Sequence, residues 1–141
     1  MSHFDSTRTS ATVLRVALGL MFLAHSIVLK YFTFTLAGTA QYFVSVGLPA
    51  FLAYVVFAAE AVGGALLVLG ICTRWVALAL VPILAGAFYV HAGNGWVFNA
   101  TGGGWEYPLF LIVISVVVTL QAPVSASVAE SRKEEPSLKT A

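Results

Sequence analysis

The sequence has 141 residues, of which 60% are apolar and only 9% are charged. Soluble domains average about 45–50% apolar and about 25% charged residues, and a chain of this length has too little polar surface to cover so apolar a core. The composition therefore excludes a free water-soluble enzyme. The formal net charge is +1, so no basic surface indicates nucleic-acid binding.

Cys72 is the only cysteine, which excludes an internal disulfide and a Cys-x-x-Cys redox pair. Thiol chemistry at this chain would need a second sulfur from a partner or a bound cofactor. We expect Cys72 to behave as a small apolar residue. The length suits a single domain.

Four apolar stretches predict membrane-spanning helices. Crossing the hydrocarbon core takes roughly 20 helical residues, which the first two stretches reach easily. The third and fourth are shorter and need flanking tryptophans, so a re-entrant or interfacial hairpin is an alternative there. Barrel strands would alternate apolar and polar residues, and these stretches do not. We expect an all-α transmembrane four-helix bundle with helices at 11–30, 49–71, 75–91 and 106–121.

The distribution of Lys and Arg predicts the orientation of the four helices. With four spans, Lys30 falls on one side of the membrane and the other Lys and Arg residues fall on the opposite side, which favours N-in/C-in. Residues 1–10 would then be a cytoplasmic N-terminus, 11–122 the membrane domain and 123–141 a disordered cytoplasmic tail. The first stretch could instead be a signal peptide, but it is longer than a typical h-region and lacks a convincing cleavage site.

Glu60 is the most informative ionisable residue, because it lies near the middle of the second predicted helix. A charge at that depth costs roughly 2.5 to more than 10 kcal/mol, so the carboxylate must be protonated or paired. We interpret Glu60 and His25, its nearest candidate partner, as candidate catalytic groups that handle protons or bind a ligand. The alternative is a purely structural hydrogen bond or ion pair between helices.

Residues 91–108 join the last two predicted helices and combine five glycines with several aromatic side chains. Such a segment could hold a planar amphipathic ligand, for example a quinone headgroup, by stacking and hydrogen bonding. The alternatives are an interfacial aromatic belt and, for Glu106, simple stabilisation by the helix dipole. No close His/Glu spacing indicates a metal site. The candidate ligand-binding residues are His91, Trp96, Trp105, Glu106 and Lys30, of which Lys30 could pair with Glu106.

Several short motifs in fixed order carry a resemblance to a known family. They are His25…Lys30, Gly38-Thr39-Ala40-Gln41-Tyr42-Phe43 followed by Gly47-Leu48-Pro49, Glu60-x-x-Gly63-Gly64, Leu69-Gly70-x-x-Thr73-Arg74, His91-Ala92-Gly93-Asn94-Gly95-Trp96 and Gly102-Gly103-Gly104-Trp105-Glu106-Tyr107-Pro108. Across roughly residues 13–121 the chain resembles the DoxX family of small four-helix membrane proteins of bacteria and archaea. The resemblance implies kinship with the membrane subunit of a thiosulfate:quinone oxidoreductase and a link to thiol or quinone stress.

Our leading hypothesis is a membrane subunit of a quinone-linked oxidoreductase system, with thiol or sulfur compounds as one electron source. The sequence has no haem, iron–sulfur or dinucleotide signature, so electrons would come from a bound quinone or a partner. The alternatives are a small-molecule carrier coupled through Glu60 and a non-catalytic scaffold of a larger complex. The expected partners are the lipid bilayer, proteins of a membrane redox complex and further copies of the chain. The expected location is the inner membrane.

Overall fold

The structure, a computed structural model, describes residues 6–122. The predicted tail at 123–141 and residues 1–5 lie outside this range. Five α-helices follow one another, α1 (Ser6–Leu23), α2 (Leu36–Ser45), α3 (Phe51–Leu69), α4 (Thr73–His91) and α5 (Glu106–Gln121). A π-helix, Ala24–Thr33, continues α1, and a 3-10 turn, Ala92–Asn94, continues α4. Residues 6–122 contain no strand, and the predicted all-helical class is confirmed.

The helices have the length and exterior of membrane spans. Three continuous segments, Ser6–Thr33, Phe51–Leu69 and Thr73–Asn94, are long and apolar enough to cross a membrane, whereas α5 is apolar but shorter. Large apolar side chains face outward, among them Phe32 at 72% and Leu120 at 74% exposed. An apolar exterior of this kind suits lipid rather than water. The N-in/C-in orientation stays a prediction.

The helix count differs from the predicted four because of α2. The interval between the first two predicted helices was expected to be a loop, but it contains this ten-residue helix. Thr35 caps α2 by accepting a hydrogen bond from the Gly38 amide at its Oγ1 atom. A helix so short cannot span a membrane, so a search for spanning apolar stretches does not find it.

Helices α1, α3, α4 and α5 pack in a closed ring, and α2 packs on α3 and the π-helix. Helices α1 and α3 cross closely at Gly19 and Gly64, where a Cβ on either residue would lie 2.8 Å from the carbonyl oxygen of the other. Small residues permit such close contact, which drives helix association in lipid. The buried core consists of Leu18, Phe22, Leu67, Ala77, Leu80, Leu84, Leu111 and Val118.

Candidate functional site

A buried ion pair lies at the centre of α3. Glu60 is only 6% exposed, and its Oε2 atom lies 2.6 Å from Nζ of Lys30. The two side chains are 8% and 16% exposed, so the pair is largely removed from solvent. From the sequence, His25 is the nearest candidate partner of Glu60, and Glu106 is a candidate partner of Lys30. The structure instead pairs Lys30 directly with Glu60.

The π-helix explains how Lys30 reaches this position. Its wide turns are marked by the Phe34 amide donating to the Leu29 carbonyl and by Thr33 Oγ1 donating to the Val28 carbonyl, each five residues back. In an α-helix, residues five apart point about 140° away from each other, whereas in a π-helix they are roughly one turn apart. His25 and Lys30 are five apart and both lie in this π-helix. The segment therefore brings the imidazole and the ammonium towards one face.

The orientation of His25 is fixed by two contacts. Its Nδ1 atom lies 2.8 Å from the Met21 carbonyl oxygen. Because a carbonyl only accepts hydrogen bonds, Nδ1 carries the hydrogen, and Nε2 of the neutral ring is an acceptor. The ring stacks on Tyr107, with centroids 5.7 Å apart and planes inclined by 20°.

Tyr107 is the residue of this site that the sequence analysis did not single out. It is the second residue of α5, and its hydroxyl is buried without a hydrogen-bond partner among residues 6–122. In the sequence it is one of several aromatic residues in a glycine-rich segment, and nothing there indicates that its hydroxyl is buried. The signal comes only from the folded structure, in which the ring of Tyr107 at the start of α5 stacks on His25 of the π-helix.

Helix α2 holds the end of the π-helix in place. Thr39 is 6% exposed, and its Oγ1 atom lies 2.9 Å from the Thr35 carbonyl and 3.4 Å from the Lys30 carbonyl. Thr35 adopts a φ of 62°, which turns the chain from the π-helix into α2. The backbone of Lys30 is thus covered by α2 while its side chain extends to α3.

The remaining candidate ligand-binding residues form a second group between the last residue of α4 and the first residue of α5. Nδ1 of His91 lies 2.7 Å from the Ala87 carbonyl oxygen. The rings of Trp96 and Trp105 meet edge to face, with centroids 4.5 Å apart. Lys30 forms its ion pair with Glu60, and the Oε1 atom of Glu106 instead accepts a hydrogen bond from the Phe98 amide at 2.9 Å. The predicted pairing of Lys30 with Glu106 is therefore wrong.

A groove of about 470 Å³ lies at the start of α5. Trp96, Phe98, Glu106 and Tyr107 line it together with apolar side chains of α5. Tyr107 contributes to this groove and also stacks on His25, so it is the residue common to both groups. Among residues 6–122, no three His, Cys, Asp or Glu side chains are grouped as a metal site would require.

Comparison with known proteins places these features in a family. The DoxX family profile matches residues 10–93, which include His25, Lys30 and Glu60. A Bacillus subtilis (strain 168) protein named "Putative oxidoreductase CatD" is 43% identical over 108 residues, which cover 76% of each chain. No solved structure matches significantly. The family profile and this relative agree with the apolar helices, and the chain is a multi-pass membrane protein of the DoxX family.

Proposed function

We propose that the chain is the membrane subunit of a quinone-linked oxidoreductase system, in which Glu60, Lys30 and His25 bind the quinone headgroup and handle protons. The observation that carries the proposal is the presence of a carboxylate, an ammonium and an imidazole within apolar helices. The name of the Bacillus subtilis relative supports an oxidoreductase system in general terms. It says nothing about the substrate.

The energetics of the ion pair favour a functional explanation. Replacing a buried ion pair by apolar residues of similar volume is often neutral or stabilising, because desolvation offsets the attraction between the charges. We therefore expect apolar side chains at positions 30 and 60 to stabilise the fold about as well as Glu60 and Lys30 do. Ionisable residues within membrane helices commonly mark proton relays or ligand sites.

The side chains present fit a quinone headgroup. Its two carbonyl oxygens accept hydrogen bonds, and the Lys30 ammonium and a protonated His25 can donate them. Reduction to the quinol takes up two electrons and two protons, and Glu60 and His25 are groups that exchange protons. The electrons would come from a partner protein. A dithiol donor balances the reaction, because its oxidation to a disulfide releases two electrons and two protons.

We also propose an N-in/C-in arrangement in a bacterial or archaeal inner membrane. In this orientation the turn that carries Arg74 lies on the cytoplasmic side, and residues 92–105, which contain no Lys or Arg, lie on the outer side. The loop group, with Trp96, Trp105, His91 and Glu106, would then lie at the outer mouth of the site. Its aromatic side chains suit the membrane interface as well as a ligand entrance.

A non-catalytic scaffold is the second candidate function. The observation that favours it is the 2.6 Å contact between Lys30 and Glu60, in which each charge already has a partner. In that case the pair would join α3 to the π-helix, and the chain would anchor a larger complex. The two candidates differ in whether the pair is needed for binding a quinone.

A variant without the buried charges separates the two functions. We expect Lys30→Met/Glu60→Leu to fold but to lose binding of duroquinone, measured by titration of the purified protein in mild detergent. Ser115→Ala is the matched control, because Ser115 is fully buried in α5 but bonds only within its own helix, to the Leu111 carbonyl. Undiminished quinone binding by the double variant would contradict the proposal.

Native mass spectrometry of the same samples tests the scaffold. If the double variant keeps bound quinone but loses the protein partners that the wild type carries, the scaffold is supported. If it loses quinone and keeps its partners, the oxidoreductase subunit is supported.

A further inference from the structure

The hydroxyl of Tyr107 is a hydrogen-bonding group without a partner. It is buried, and no donor or acceptor among residues 6–122 bonds to it. Buried polar groups are nearly always hydrogen-bonded, and leaving one unsatisfied costs free energy. A phenylalanine would fill the same space without that penalty. The hydroxyl therefore needs a hydrogen-bond partner from outside residues 6–122.

The position of this hydroxyl is fixed from two sides. The ring of Tyr107 stacks on His25, whose own orientation is set by the Met21 carbonyl. One residue earlier, the Glu106 carboxylate is held by the Phe98 amide, which fixes the start of α5. A donor held in place before a ligand arrives loses little conformational freedom on binding.

The neighbouring charges indicate what kind of partner fits. His25 contacts Tyr107 with one ring face, and His25 lies in the same π-helix as Lys30. A ligand oxygen at the Tyr107 hydroxyl would therefore lie beside His25, one of the proton-handling groups of the proposed site. A phenol is a good donor to a carbonyl oxygen, and its ring offers an apolar face to a planar ligand.

We propose that Tyr107 is a ligand-binding residue, whose hydroxyl donates a hydrogen bond to a carbonyl oxygen of the quinone headgroup. This inference rests on the proposed function and adds a specific contact to it. It assigns to α5 a direct part in the site, whereas Lys30, His25 and Glu60 come from the π-helix and α3.

Tyr107→Phe tests this contact, because it removes the hydroxyl and keeps the ring that stacks on His25. We expect the Kd for duroquinone to rise about tenfold, the usual effect of one lost hydrogen bond. We expect the melting temperature of the ligand-free protein to stay the same or rise, since an unsatisfied group is removed. Tyr89→Phe is the control, because Tyr89 is 79% exposed, and it should bind duroquinone as the wild type does.

Durene, which has the methyl groups of duroquinone but no carbonyl oxygen, makes the test specific. If the hydroxyl bonds the carbonyl, Tyr107→Phe weakens binding of duroquinone and leaves any binding of durene unchanged. Equal loss for both compounds would show a packing effect and overturn the inference.

Two further outcomes separate this inference from the proposed function. If Tyr107→Phe binds duroquinone as tightly as the wild type, the contact is overturned and the proposed function stands. The contact is also overturned if the variant only loses ligand-free stability, because the hydroxyl then bonds a buried water. If the wild type itself binds no duroquinone, the proposed function fails and the contact fails with it.

Discussion

The Nζ atom of Lys30 lies 2.6 Å from Oε2 of Glu60 and connects the π-helix to the middle of α3. The contact joins two segments of the chain that also meet where the rings of Tyr31 and Phe57 stack. Within a membrane, neither charge is tolerable alone, so the two side chains must be considered as one unit.

The ion pair predicts that removing one of its charges destabilises the protein far more than removing both. We expect Lys30→Met to lower the free energy of unfolding by about 3 kcal/mol, because the Glu60 carboxylate is left buried without a cation. The double variant Lys30→Met/Glu60→Leu should return close to the wild-type value. Denaturant titration in mixed micelles measures both. A double variant as unstable as the single one would contradict this account of the pair.

The crossing of α1 and α3 predicts that Gly64 cannot accept a side chain. A Cβ there would lie 2.8 Å from the Gly19 carbonyl oxygen, so the helices must separate. We expect Gly64→Ala to destabilise the protein by about 2 kcal/mol in micelle unfolding experiments. Gly86→Ala in α4 is the matched control, because nothing lies within 4 Å of its added Cβ, and it should be neutral or slightly stabilising.

The end of α3 predicts a difference between two glycines with similar backbone angles. Gly70 has a φ of 78° and an added Cβ would overlap the Arg15 guanidinium, whereas Gly47 has a φ of 82° and open space around it. Gly47→Ala should cost about 1 kcal/mol, the strain of a left-handed conformation alone. Gly70→Ala should cost only slightly more, because the guanidinium is the far end of a flexible side chain and can move aside. A Gly70→Ala variant with a much lower melting temperature than Gly47→Ala would show that Arg15 is held firmly at this helix end.

The hydrogen bond from the Phe98 amide to the Glu106 carboxylate predicts a local effect on the loop before α5 when Glu106 is replaced. We expect Glu106→Ala to speed hydrogen exchange of the Phe98 amide about tenfold, because the amide loses the carboxylate that accepts its hydrogen bond. Glu106→Gln keeps an acceptor oxygen and should change exchange much less. The exchange rate of that amide, followed by NMR in detergent, is the measurement. Unchanged exchange in Glu106→Ala would show that the loop is held by its other contacts.

The all-helical class could be predicted because it depends on composition and on long apolar stretches. The central place of Glu60 in α3 also follows from counting residues along the second stretch. Helix α2 could not be found in this way, because Leu36–Ser45 is too short to cross a membrane and is recognisable only from its cap at Thr35.

The contacts of the site were harder to predict than the helices. The pairing of Lys30 with Glu60 depends on a π-helix, and spacing rules for α-helices do not place His25 and Lys30 on one face. Glu106 was expected near Lys30 because both lie towards the same end of the bundle, but a nearby loop amide satisfies its carboxylate. The place of Tyr107 in the site could not be predicted, because the burial of its hydroxyl and its stacking on His25 follow only from the packing of the folded helices.

Glu106 and Tyr107 are consecutive in the chain, yet one is tied to the Phe98 amide and the other rests against His25. The first turn of α5 is therefore held on one side by the loop and on the other by the imidazole. A displacement of the loop at Phe98 would be transmitted through this turn to the ring that stacks on His25.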